Sequence, residues 1–149
     1  MSEQVDVSVG IVICRHRGAV LACLRRPEDY YGGWWEFPGG KCLPGEPPSH
    51  CVTREIREEL GIEVRPIESW PVILHHYADR DRRVCLRPFV CEVVSGDPTP
   101  LEVAECRWCT PPELRSLRFL PANAPLIEAA CRLLSATPTD LHDSGPTVK

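Results

Sequence analysis

No run of apolar side chains in this 149-residue chain approaches the roughly 18 residues a membrane-spanning helix needs, which excludes a transmembrane role. Nor is there an excess of positive charge. Seventeen lysines and arginines stand against 21 aspartates and glutamates, a formal net charge of -4, so no global field exists to gather nucleic acid by its backbone. A stable nucleic-acid complex is not expected, although a small anionic ligand can be held by charge arranged locally. The opening residues, MSEQVDVSVG, lack both the basic start and the continuous apolar segment of a secretion signal, and the expected address is the cytoplasm.

What is present is an ordinary globular composition, 43% hydrophobic and 26% charged, in a length that suits one core. Nine cysteines would suggest a disulfide framework in a small secreted protein. Here they are odd in number, scattered and set among apolar neighbours, as at Cys14, Cys23 and Cys91, and read as buried thiols. Cys106 and Cys109 have C-x-x-C spacing, but no second pair follows at zinc-finger distance, and the intervening Arg107 and Trp108 belong to an expected strand.

Val7, Val9, Ile11 and Ile13 alternate with smaller or polar residues, the period of a strand with one buried face. A turn at 16–18 leads to a second strand at 20–24, and 38–40, Pro-Gly-Gly, reads as another turn. A helix is expected over 47–60. Its prolines fall in the first turn, Gly61 suits a left-handed end, and Val52, Ile56 and Leu60 form the core stripe. Strands follow at 67–77, 84–94 and 106–109, then a brief turn at Pro111 and a helix beginning near Pro125, with Asn123 in a capping position. The expected fold class is α+β, a mixed β-sheet covered by helices, with one domain at 1–134 and a flexible tail at 135–149.

Glu55, Glu58 and Glu59 occupy positions i, i+3 and i+4 of that helix, so their carboxylates share one patch and repel each other unless a cation intervenes. A solvated helix face compensated by Arg54 and Arg57 is one reading; a metal site is the other. Hard oxygen ligands without His or Cys suit Mg²⁺, with Mn²⁺ as a substitute, and suit zinc poorly.

The stretch Gly40, Glu46, Arg54-Glu55-Ile56, Glu58-Glu59, Gly61-Ile62 resembles the Nudix hydrolase signature at every specified position. The resemblance implies an α/β/α sandwich and attack of water on a nucleoside diphosphate linked to some group X. It casts Glu58 and Glu59 as main metal ligands and Glu55 as a ligand or water-orienting group. Gly39 would lend a carbonyl to the metal, and Arg54 would pair with a carboxylate such as Glu46. Glu102, in the loop before Trp108, is the candidate general base and a further metal ligand; a solvated loop carboxylate is the alternative.

The resemblance extends over about residues 5 to 134 to the MutT type, which hydrolyses oxidised-guanine nucleotides such as 8-oxo-dGTP, and would make the chain a nucleotide-pool enzyme serving DNA repair. It rests on Trp35-Glu36-Phe37-Pro38-Gly39-Gly40-Lys41, on Arg25 as a phosphate contact, on Asp81-Arg82 as a loop pair, and on Phe119 to Pro125, where Asn123 would read the purine edge. Asn123 has a rival role as a helix cap, and Phe37 is either core or a wall beside the base. Trp34, Trp35 and Tyr31 are further wall candidates, Arg17 and Arg26 further phosphate or base contacts, and His75 and His76 read as structural or rim residues. The loop 27–34 departs from the MutT pattern. Cytidine-nucleotide or broad nucleoside triphosphate hydrolysis is therefore the alternative, with a non-catalytic nucleotide-binding module behind it. The expected partner is a small-molecule nucleotide, and the expected assembly a monomer or homodimer.

Overall fold

The computed structural model describes residues 3–136. Its centre is a pair of long parallel strands, β1 (Glu3–Cys14) and β7 (Arg82–Ser95), in register from Glu3 opposite Arg82 to Ile13 opposite Glu92. β1 is shared on its other side. Its first half pairs antiparallel with the short β4 (Gly39–Lys41), and its end pairs with β2 (Ala19–Leu24). β2 carries β3 (Trp35–Glu36) and β8 (Glu105–Cys109), both antiparallel, while β5 (Glu63–Ser69) and β6 (Ile73–Tyr77) line up along the outer edge of β7. The result is one mixed eight-stranded sheet.

Alternation along β1 sorts the core into two layers. Val9, Ile11 and Ile13 face α3 (Ala124–Ser135) and the short α2 (Pro111–Ser116), together with Phe37, Leu114, Phe119 and Leu126. Val12 faces the other way, with Leu21 and Ile62, onto α1 (Pro48–Leu60) through Val52, Ile56 and Leu60. Each of these fully buried aliphatic chains contributes about 2 kcal/mol of transfer free energy, and together they fix the rotation of α1. Gly10 permits the close approach, since a Cβ there would lie 2.6 Å from Ile56 Cδ1. The helices thus cover both faces of a mixed sheet, as the α/β/α expectation required.

Four local expectations need correction. The segment 38–40 is no simple turn, because Gly39 and Gly40 enter the sheet as β4 opposite Val9 and Ser8. The strand expected over 67–77 is two strands, with a break at 70–72 that lets both pair with β7. Pro111 begins a short helix rather than a turn, its start closed by a reciprocal cap between Thr110 and Glu113. Asn123 makes no side-chain cap to α3. The tail expected at 135–149 lies outside the described residues from position 137 onward.

Candidate active site

α1 presents the carboxylates as its period dictates, and its ends are held from outside. Gly61 closes the helix in the left-handed conformation (φ 69°), its N–H donating to the Arg57 carbonyl. The last-turn carbonyls receive the loop that follows β7. Thr99 N–H donates to Leu60 O at 2.9 Å, and Leu101 and Glu102 N–H both donate to Glu59 O, at 2.9 and 3.2 Å. Arg26 Nη2 holds the same loop through Leu101 O at 2.9 Å. Glu102 is brought beside Glu55 and Glu59, near enough that its charge acts on both.

Arg54 organises the patch. Its guanidinium donates Nε and Nη2 to the two oxygens of Glu46 (2.8 and 3.0 Å), Nη2 to Lys41 O (3.1 Å), and Nη1 to Glu55 Oε2 (3.1 Å) and Glu58 Oε1 (3.2 Å). This fork and the Leu43 N–H hold the Glu46 carboxyl down at about 2. Burial acts in the opposite direction on the helix carboxylates. Glu55 is raised despite Arg54, and Glu59 is raised well above the ordinary range, its burial reinforced by the charge of Glu36 and only partly offset by the Gly39 N–H, which donates to Glu59 Oε1 at 3.1 Å.

Half-buried carboxylates such as Glu55 and Glu59 that resist ionisation beside one another form a donor set that a hard divalent cation would satisfy. Gly40 leaves room for that set, because a Cβ there would sit 2.3 Å from Glu55 Oε1. No ready-made cage of three such ligands exists among the described residues. Glu58 lies on Arg54 with its side chain 47% exposed, and Glu59 lies on Gly39, so ligation requires these side chains to turn toward the ion.

Beside the patch, a cavity of about 270 Å³ opens between β1, β7 and the segment 120–123. Its floor is aliphatic, from Val5, Val7, Val9, Val84 and Leu86, and Glu59, Gly39 and Gly40 stand at its border with the carboxylates. Polar groups enter from Glu36, Arg25, Tyr77 and Asn123, with Lys41 and Arg82 also lining it.

Of the residues singled out in sequence, Phe37, Arg25, Arg82 and Asn123 reach this cavity, whereas Asp81 does not line it. Asp81 caps the turn after β6 with φ 46° and meets His76 Nε2 at 2.9 Å, its side chain 61% exposed. Arg25 is bound to the protein itself, Nε donating to Tyr30 O at 2.6 Å and Nη1 to Glu36 Oε1 at 2.9 Å. Phe37 serves in both roles weighed for it: fully buried against Phe119, it also walls the cavity. Asn123 Oδ1 accepts the Phe37 N–H at 2.8 Å. Cys106 and Cys109 sit on β8 three residues apart, hence on opposite faces, and all nine cysteines are free.

Sequence reasoning missed Glu36, Tyr30 and Tyr77 as cavity residues. Glu36 was visible as the acidic residue of an otherwise apolar strand start; Tyr77 and Tyr30 carried no local signal, because long-range packing places them. The loop 27–34 that departs from the MutT pattern turns its aromatics inward. Tyr30 and Tyr31 meet Tyr77 edge-on at 5.9 and 5.5 Å, and Tyr30 Oη donates to Asp79 Oδ1 at 2.7 Å.

Comparison with known proteins places this geometry. The NUDIX domain model matches residues 5–130. The chain is 33% identical to the CTP pyrophosphohydrolase of Escherichia coli K12 over 90% of its own length and 98% of the relative's. It is 30% identical to the 8-oxo-dGTP diphosphatase of the same organism, over 88% and 99%. Among solved structures, the E. coli ORF135 protein superposes with a TM-score of 0.74 at 30% identity, covering 93% of this chain and 96% of that one. The MutT protein of Methanosarcina mazei Go1 gives 0.76 at 22% identity, over 91% and 98%, a likeness of fold. With the intact carboxylate helix and the adjoining cavity, these matches make the chain a Nudix hydrolase, related to the MutT-type enzymes.

Proposed function

We propose that the chain is a metal-dependent nucleoside triphosphate pyrophosphohydrolase acting on cytidine nucleotides or on a broad range of bases. Nucleotide pyrophosphohydrolase chemistry is general to its family and relatives; the base range is the proposal. The observation that carries it is the aliphatic cavity, with a few polar side chains, set directly against the carboxylate helix. A base lies in such a cavity with its phosphates directed toward Glu55, Glu58 and Glu59.

In this reading Glu58 and Glu59 hold Mg²⁺ (or Mn²⁺), with Glu55, Glu102 and the Gly39 carbonyl as further ligands. When bound, the ion would supply neutralisation of the phosphates' charge and a more acidic water. Glu102 takes the proton of the attacking water, a bridging P–O bond breaks, and monophosphate and pyrophosphate leave. Arg54 bridges Glu55 and Glu58 through one guanidinium nitrogen, and Arg82 and Lys41, which line the cavity, attract the phosphates. Arg25, fixed on Glu36, shapes the wall.

A second reading, hydrolysis of 8-oxo-dGTP, is favoured by the 30% identity to the 8-oxo-dGTP diphosphatase of E. coli. A Mg²⁺-dependent screen of 8-oxo-dGTP against the common nucleoside triphosphates, with monophosphate, pyrophosphate and free phosphate assayed separately, tests both. Turnover of CTP or of several bases to monophosphate and pyrophosphate supports the first reading. A kcat/KM clearly highest for 8-oxo-dGTP replaces it with the second, and release of free phosphate alone overturns both.

A further inference from the structure

Two polar side chains at the base cavity have a hydrogen to donate and no partner for it. Tyr77 is 7% exposed, and its ring is packed edge-on by His75 (4.5 Å), Tyr31 and Tyr30. Its hydroxyl oxygen accepts the Ala122 N–H at 3.1 Å. That bond occupies the oxygen as an acceptor and fixes its place, while no group among the described residues accepts the hydroxyl's own hydrogen. Asn123, the next residue of the same short turn (Pro121–Asn123), is 3% exposed. Its Oδ1 accepts the Phe37 N–H, it lines the cavity, and no group among the described residues accepts its amide hydrogens. A ligand with acceptors at these two places would take both hydrogens without displacing either backbone partner.

We infer that the Tyr77 hydroxyl is a specificity-determining group that acts with the Asn123 amide as a pair of neighbouring donors, selecting cytosine, with its adjacent N3 and O2 acceptors, over 8-oxoguanine. The inference rests on the pyrophosphohydrolase reading above and narrows its base range. In 8-oxoguanine N7 carries a hydrogen, so the edge beside O6 offers one acceptor and one donor, and a donor pair meets it badly. Glu36 completes the match, because its carboxylate lines the same cavity and is the type of group that accepts the cytosine 4-amino hydrogens. Burial raises the Tyr77 phenol above its ordinary range, which keeps it a donor at neutral pH.

The test compares kcat/KM for CTP, 8-oxo-dGTP and base-free ribose 5-triphosphate in the wild type and in Tyr77→Phe, which removes one oxygen. The wild type is expected to favour CTP over 8-oxo-dGTP. In the variant CTP should lose at least fivefold relative to ribose 5-triphosphate, chiefly through KM, and the ratio of 8-oxo-dGTP to CTP should rise. An equal change for all three substrates reduces Tyr77 to packing and overturns the inference, as does no change or a wild type that prefers 8-oxo-dGTP. A wild type that turns over none of them defeats the pyrophosphohydrolase reading itself. Should circular dichroism show the variant unfolded, the wild-type dissociation constants of CMP and 8-oxo-dGMP decide: at least fivefold tighter CMP supports the donor pair, and equal or reversed affinities overturn it.

Discussion

The side-chain oxygen of Asn123 accepts the backbone N–H of Phe37 at 2.8 Å, joining the turn before the last helix to the strand end that precedes Gly39 and Gly40. The cavity is therefore fastened to the segment leading into β4 through one buried amide. Asn123→Ala leaves the Phe37 N–H without a partner in the core and should cost about 1 to 3 kcal/mol, a drop of several degrees in Tm. Asn123→Asp retains the acceptor but places a carboxylate at a site 3% exposed, so its Tm should approach the wild-type value only as pH falls and that group takes up a proton. Equal Tm values for wild type and Asn123→Ala would show that the bond contributes nothing to stability.

Arg54 and Glu46 give a pH signature. In the folded protein Glu46 titrates at about 2, below the ordinary carboxylate value, so the unfolded chain binds the proton more readily between those two points. The stability this pair provides is fully present above the unfolded value near 4.5 and is lost as pH falls toward 2. Arg54→Ala removes the main cause of the shift and leaves the Leu43 N–H. Its stability should fall less steeply with acid across that window than the wild type's, which urea melts at a series of pH values would reveal; parallel slopes would show that the pair does not govern acid sensitivity.

How much of this was legible beforehand depended on period length. α1 was read within a residue of its ends, because thirteen residues repeat an apolar stripe several times and Gly61 marks the stop. β3 and β4 have two and three residues, too few to show any alternation, and the glycines of β4 look like a turn until β1 pairs with them. Asn123 sat where a cap belongs, yet a partner 86 residues away claimed its oxygen. The carboxylates of the patch were local and readable; the cavity is built by contacts between distant segments, so Arg25, Phe37, Arg82 and Asn123 were legible only one by one, and Tyr30 and Tyr77 not at all.

Glu59 should show the opposite pH sense from Glu46. Burial raises its folded-state pKa, so its contribution to stability is present below the unfolded value and lost as pH rises through the folded one. Without metal, Glu59→Gln should therefore raise Tm at pH 8 more than at pH 5, since an amide retains an acceptor for Gly39 and carries no buried charge. Added Mg²⁺ should stabilise the wild type more at pH 8 than at pH 5, because ligation requires the carboxylates to be ionised, and should stabilise the variant far less. Equal metal-induced shifts in both proteins would remove Glu59 from the ligand set.

Gly40 faces Glu55 across a gap that admits no side chain. A Cβ at position 40 would stand 2.3 Å from Glu55 Oε1 and 2.4 Å from its Cδ, so in Gly40→Ala the carboxylate must swing away. The carboxylate is the end of a flexible chain and can move without disturbing Val52, Ile56 or Leu60, which anchor α1 from its other face. The fold should survive with Tm close to wild type. If Glu55 orients the metal or its water, activity should fall at least tenfold, about 1.4 kcal/mol or more in transition-state stabilisation, with kcat affected more than KM. Unchanged kcat in a variant that carries the alanine would show that the position of the Glu55 carboxylate does not matter to turnover.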